Sequence, residues 1–438
     1  MTPTLATSLA GSPVLLLAPA SARAPEWAGW LVLGALIAAF SLLVWWLYFS
    51  PLPYRVEPPA ATARTLRTRR RVATLALLAG ALFIVGARWD ELWHRMYGGF
   101  GNDFLWPPHL MLYGSLGLNG LFAGFGLGRA LRGRGGLRER FRAEPLIGLL
   151  GLLAAYQLAS IPSDQLWHQI IGPDLTAWSL PHVLLVVTSS ASWLSGLALA
   201  LATVRRRPWR NLARPAPAEV VALLLVGVSE LLLLQLATTE WEWLTIGTPG
   251  VLSAAFRRPA WTYPVVVLLV GIATAHLTLY ATRRVGAASA VALGVLLAQA
   301  AMVAITRALL PPGPLLASHL LLVLPAFALD AWYGLRRRHV EAAATLLGGA
   351  ALYSAIFFAV AFPYIARFMA VPALDATNRI AAIAVSVPLA LLAGVATART
   401  GAWLGTLEVA RQDGPAAPIA GVDVGRDRAV EAGGWAGD

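Results

Sequence analysis

The chain has 438 residues, 58% of them hydrophobic and only 13% charged, a balance that excludes an ordinary soluble domain. Its formal net charge of +12 comes from 34 basic and 22 acidic residues, every basic one an arginine; they lie in short connections between apolar runs, which points to membrane topology and not to nucleic acid. With no cysteine, disulfides, thiolate zinc sites and iron–sulfur clusters are excluded.

In chain order, residues 1–24 end in LLLAPASARA, an apolar run with an Ala-x-Ala-like close at Ala22 to Ala24. That is the pattern of a secretory signal peptide without its positive n-region; the alternative is an uncleaved extracytoplasmic tail. About eleven apolar stretches follow, each long enough to cross the hydrocarbon core, beginning near residues 28, 71, 108, 145, 181, 217, 261, 287, 314, 341 and 378. The expected fold is therefore all-α, one polytopic transmembrane helical bundle over residues 25–411.

Alternate connections carry RTLRTRRR, RALRGRGGLRERFR, RRRPWRNLAR, the pair Arg283 and Arg284, and the run Arg336 to Arg338. With the tail they hold 26 arginines against 8 on the other side. The positive-inside rule then puts the amino terminus outside a cell membrane and the carboxyl terminus inside it. Residues 412–438, rich in Gly, Pro, Ala and charge, read as a disordered cytoplasmic tail.

Spans two to eleven form five hairpins that turn at the outer face. The outer turns of the first two, in hairpins 72–130 and 145–204, are RWDELWHRMYGGFGNDFLWPPHLML (Arg88 to Leu112) and SDQLWHQIIGPDLTAWSLPHVLL (Ser163 to Leu185). Asp90 and Asp164 are 74 residues apart, and the shared spacing marks an internal duplication. The third turn keeps acid and Trp character at Glu240 and Glu242 without His. The fourth keeps only His319.

Asp90 and His94 are four apart, as are Asp164 and His168, so each pair shares one face if the helix continues through it. His109 and His182 each follow a proline that suits the first turn of the returning helix. One carboxylate and two imidazoles can converge in each copy, a three-ligand metal set made twice. Imidazole with carboxylate suits copper, zinc, non-haem iron or nickel, and three protein ligands leave room for water or substrate. Trp93, Trp106, Trp167 and Trp178 can pack around the ligands, although Trp is also enriched at membrane interfaces. The alternative for the triads is that Asp and His hydrogen-bond the chain reversal, a role that Ser, Asn or Thr would fill as well.

Asp103 and Asp174 lie in the loops as candidate outer partners of the ligands, where turns also use Asp freely. Glu230 and Gln235 lie in span six, and Asp330 in the inner half of span nine. Intramembrane acids are functional hypotheses by default, with pairing to another span the commoner explanation for Asp330. His276 is expected to be a satisfied interior histidine, and His339 belongs to a cytoplasmic loop.

The run DQLWHQIIGPDLTAWSLPHVLL resembles the copper-binding segment of the C subunit of the copper membrane monooxygenases, the ammonia and particulate methane monooxygenase family. That subunit carries an Asp, a His four residues on, and a His after a loop; a second set there has Asn in the Asp position, where this chain has Asp in both. The resemblance covers roughly Val72 to Val204. It implies one copper site at Asp90, His94 and His109 and another at Asp164, His168 and His182. Six further spans have no match in that subunit, and this chain shows no sign of the soluble copper-binding domain that a companion subunit supplies there.

Three readings follow. The first is a copper-dependent oxidase or monooxygenase-like subunit working at the outer face, alone or with companion membrane or soluble copper-domain subunits. The second is a non-enzymatic copper or zinc binding, transport or cofactor-assembly protein, with Glu230 lining a path; the lack of Cys and the scarcity of Met argue against copper trafficking and leave zinc open. The third is a structural or haem-binding bundle; paired histidines could ligate haem axially, but the Asp at four-residue spacing has no place there.

Overall fold

Hydrocarbon offers the peptide group no hydrogen-bond partner, and the chain answers with helices alone: no strand occurs among the described residues. The computed structural model describes residues 26–52, 63–97, 105–132, 135–170, 180–204, 207–246, 261–309, 318–368 and 375–412. The expected signal peptide and all but the first residue of the expected tail lie outside them.

The helices are α1 (Glu26–Val44), continued by a π-helical turn at Trp45–Phe49, α2 (Ala63–Tyr97), α3 (Pro107–Leu131), the short α4 (Leu137–Ala143), α5 (Pro145–Ile170) and α6 (Leu180–Thr203). Then come α7 (Pro217–Ile246), α8 (Thr262–Thr282), α9 (Ala287–Leu309), a 3-10 turn at Ser318–Leu322, α10 (Val323–Leu335), α11 (Ala343–Phe368) and α12 (Ala376–Gln412). Among the described residues, five helical segments are long and apolar enough to cross a membrane: Arg67–Asp90, Thr262–Thr282, Ala287–Ala304, Ala343–Tyr364 and Ala376–Thr406.

Most helices begin within a few residues of the expected starts, and the larger differences have local causes. RTLRTRRR, expected to be a loop, forms the first turns of α2, because Arg is a good helix former and neither Gly nor Pro interrupts the run. For the same reason α7 continues through TTEWEW, the expected third turn, and stops just before Gly247.

Polar ties gather the arginine-bearing ends of these helices. Arg69 meets Glu144 at 2.7 Å, joining α2 to the start of α5, and Arg70 donates to the Ala202 carbonyl of α6 at 2.8 Å. Arg140 Nη1 donates to the Leu131 carbonyl that ends α3 (2.7 Å), and Arg142 Nε to the Leu47 carbonyl beyond α1 (2.8 Å). Glu219 in the first turn of α7 holds Arg284, between α8 and α9, at 3.0 Å with both side chains under a tenth exposed. Asp330 of α10 accepts from the amides of Gly286 (2.8 Å) and Ser289 (2.7 Å) and from the Ser289 hydroxyl (2.6 Å), so it caps α9. The cost of its burial is offset by that cap, the pairing with another span expected for this residue. At the start of α12, Asp375 accepts from the amide of Asn378 at 2.8 Å.

Laterally, α2, α3, α5 and α6 form a ring in which each packs on the next and α6 returns to α2. Helix α7 lies against α6 and α9, α8 against α12, and α11 between α10 and α12. The α7–α9 crossing is close because it is made of glycine: a Cβ on Gly227 would overlap the Val291 carbonyl, and one on Gly294 the Leu224 carbonyl.

Glu219→Gln strips a buried guanidinium of its charge partner and is expected to cost about 3–5 kcal/mol in equilibrium unfolding from mixed micelles. Arg283→Gln, whose bond to Glu341 lies largely at the surface, is expected to cost under about 1 kcal/mol. The amide of Asn378 holds the Asp375 carboxyl below its usual range. Its cap therefore persists above about pH 4 and is lost as the pH falls through the lowered value. Hydrogen exchange at Asn378 is expected to stay slow from neutral pH into mild acid and to quicken only in stronger acid.

Candidate functional site

The two expected ligand sets sit at the helix ends opposite the arginine ties. Helix α2 runs through Asp90 and on to Tyr97, so the condition for Asp90 and His94 to share a face is met. Trp106 is extended (ψ 150°) and Pro107 and Pro108 open α3; their fixed φ starts the helix without a donor to satisfy. That entry brings His109 back onto α2, with its Nε2 2.9 Å from Asp90 Oδ1 and the two side chains 10% and 13% exposed. One turn further on, the Tyr113 ring lies 5.9 Å from the His109 ring.

Two of the three members of the first set are thus brought together, and the His94 side chain lies outside the described ones. In the second set, α5 carries Asp164 and His168 four residues apart, and α6 opens with Leu180, Pro181 and His182. His182 is half-buried; the side chains of Asp164 and His168 lie outside the described ones. So do Asp103, Asp174, Trp93 and Trp178, and the side chains of Gln235, Glu240 and Glu242 on α7. Trp167 is buried and Trp106 half-buried, as a wall around ligands or an interfacial anchor would be.

The ring of four helices has the connectivity that the expected duplication requires. Mapping α2 onto α5 and α3 onto α6 returns the same ring, as a parallel repeat about an axis along the bundle does. The interior is not alike in the two halves, however. Asn119 of α3 donates to Gln157 of α5 at 2.9 Å, both buried, while the positions 74 residues away are Trp193 and Phe83.

A carboxylate oxygen and an imidazole nitrogen each about 2.1 Å from one ion stand about 3.0–3.4 Å apart. The Asp90–His109 pair, at 2.9 Å, lies just below that range, so a shared ion needs a small opening, and it is a good hydrogen bond as it stands. No group of three metal-ligating side chains converges among the described residues. His319, the histidine of the expected fourth turn, lies 1% exposed within the field of the buried Arg88 guanidinium, two residues before Asp90. No sequence signal joins positions 88 and 319; only the fold does.

Comparison of the chain with family models, with curated proteins and with solved structures found no match.

Gln157→Leu leaves the buried Asn119 amide without its partner and is expected to cost about 1–3 kcal/mol of bundle stability. Equilibrium unfolding in micelles measures it, and the double change with Asn119→Leu is expected to recover part of the loss.

Proposed function

We propose that this is an integral membrane metal-binding protein that holds copper at two Asp/His/His sites on the extracytoplasmic face of a cell membrane. Asp90, His94 and His109 make one site; Asp164, His168 and His182 make the other. Eleven spans, with the amino terminus outside and the carboxyl terminus inside, put both on that face. The observation that carries the reading is the 2.9 Å approach of Asp90 and His109 from two different helices. Support also comes from the duplicated spacing and from the continuation of α2 and α5 through both Asp–His pairs.

Copper bound there would supply a redox centre for oxygen chemistry of the monooxygenase class that the motif resembles. The chain's own contributions are narrower. Asp90 orients the His109 imidazole and balances charge, His94 and His168 sit one helical turn beyond the carboxylates, and buried Trp167 restricts water. Companion membrane subunits or one with a soluble copper domain complete the oxidase reading. Zinc or iron in the same ligands, serving a non-enzymatic binding, transport or assembly role, is the alternative.

Elemental analysis of the purified chain tests it. Wild type is expected to retain copper, His94→Ala and His168→Ala each to lose about half of it, and the double variant nearly all. Undiminished metal in the double variant overturns the proposal, and zinc or iron in place of copper moves it to the alternative. Metal flux across reconstituted vesicles, expected to be nil for a fixed site, separates a transporter from an oxidase subunit.

A further inference from the structure

A second polar constellation lies deep in the bundle, away from the outer turns. Glu230 stands 13 residues into α7, which begins at Pro217, about 20 Å along the helix. Its side chain is 1% exposed. Thr274 of α8 lies within hydrogen-bonding reach of the carboxyl, and the phenol of Tyr353 on α11 lies within its field. Its Oε1 has no hydrogen-bond partner among the described residues. Gly271 of α8 makes room for the phenol, since a Cβ there would sit 2.7 Å from the Tyr353 hydroxyl. Two groups from neighbouring helices therefore face this carboxyl, the Tyr353 phenol of α11 and the Thr274 hydroxyl of α8.

From that level a series of polar groups descends to the arginine-bearing end. His276, two residues past Thr274, is fully buried; its Nδ1 lies 3.0 Å from the Ile272 carbonyl. Nδ1 therefore donates, and Nε2 is left as an acceptor with no partner among the described residues. The His276 ring is edge-on to Tyr333 of α10 at 5.9 Å, and Tyr333 is edge-on to Tyr280 at 5.6 Å. The Tyr333 hydroxyl is also buried, and its nearest polar neighbour among the described residues is the Tyr280 hydroxyl. Tyr280 donates to the Val340 carbonyl at 2.5 Å, in the turn between α10 and α11 that follows Arg336 to Arg338.

A carboxylate enclosed by neutral hydroxyls and hydrocarbon is costly, and taking up a proton removes the charge. Buried hydrogen-bonding atoms left without partners are rare enough to need a reason, and Glu230 Oε1 and His276 Nε2 are two such atoms among the described residues. We propose that Glu230 is a proton-binding site inside the bundle that exchanges its proton with the arginine-bearing end by way of His276, Tyr333 and Tyr280. Only an O–H bond forms and breaks at the carboxyl, so no electron donor or acceptor is involved. The proposal does not rest on the metal sites and survives their failure.

The apolar reagent dicyclohexylcarbodiimide adds to a protonated carboxyl buried in a membrane protein and leaves a mass tag. An apolar cavity of about 1100 Å³ between α1, α5, α6, α8 and α12 brings the reagent as far as Leu233 and Thr274, the latter within reach of the carboxyl. The full chain, reconstituted in vesicles, is expected to be tagged at Glu230. The rate should fall by about tenfold per pH unit once the carboxyl begins to ionise, and excess sodium chloride should leave it unchanged. With different pH on the two sides, the rate should follow the side bearing the arginine connections, and His276→Leu should abolish that one-sided response. Absence of the tag at every pH overturns the proposal. Protection by sodium also does so, because the site would then take a metal cation, and so does a rate that follows the opposite side.

Discussion

Every helix end in a hydrocarbon slab leaves amides or carbonyls in need of partners, and at one end of this bundle arginines and buried carboxylates supply them. Arg142 takes a carbonyl of the π-helical turn after α1 and Arg140 the one that closes α3, and Asp330 takes the amides that open α9. Arg284 and Glu219 join three helices at a single buried point. Because these ties fix the starts of the outgoing helices and the ends of the returning ones, they set the height at which each far turn emerges. The geometry of the opposite face is therefore a consequence of the arginine end, although no residue of that end is near it.

At the far face the outcome depends on two proline-led helix starts. Pro107 and Pro108 set the entry angle of α3, and the ring of α2, α3, α5 and α6 holds that helix against the end of α2. The Asp90–His109 contact follows from both. Deeper in, the same antiparallel packing lines up groups from four helices, Glu230, Tyr353, His276 and Tyr333, at successive levels. The molecule thus has polar chemistry at the helix ends opposite the arginines and in its centre, separated by apolar core.

Much of the fold was legible because hydrophobic runs of fixed length are a strong signal and arginine punctuates them. The starts of α3, α5, α7 and α9 fell where composition changed. Helices whose ends are amphipathic were harder: arginine tracts favour helix and a loop equally well when only charge is weighed, so α2 was placed too late. The Asp–His–His spacing was legible because it is local, four residues on one helix and a proline before the next. Arg88 with His319, and Glu230 with Thr274 and Tyr353, join distant parts of the chain, and no periodicity carries such a pairing. His276 was expected to be satisfied, yet only one of its nitrogens has a partner among the described residues.

The Asn119–Gln157 bond bears on how such a ring assembles. Two hairpins with the same motif spacing are interchangeable in principle, and a ring built of them invites exchange of halves between neighbouring molecules. A polar pair present at only one of the two like seams removes that equivalence. It labels α3 and α5 as partners and denies the other seam the same lock, so each hairpin has one correct neighbour, the one on its own chain. A small interior asymmetry thereby favours closure within a single polypeptide over the tangling that repeated sequences otherwise permit.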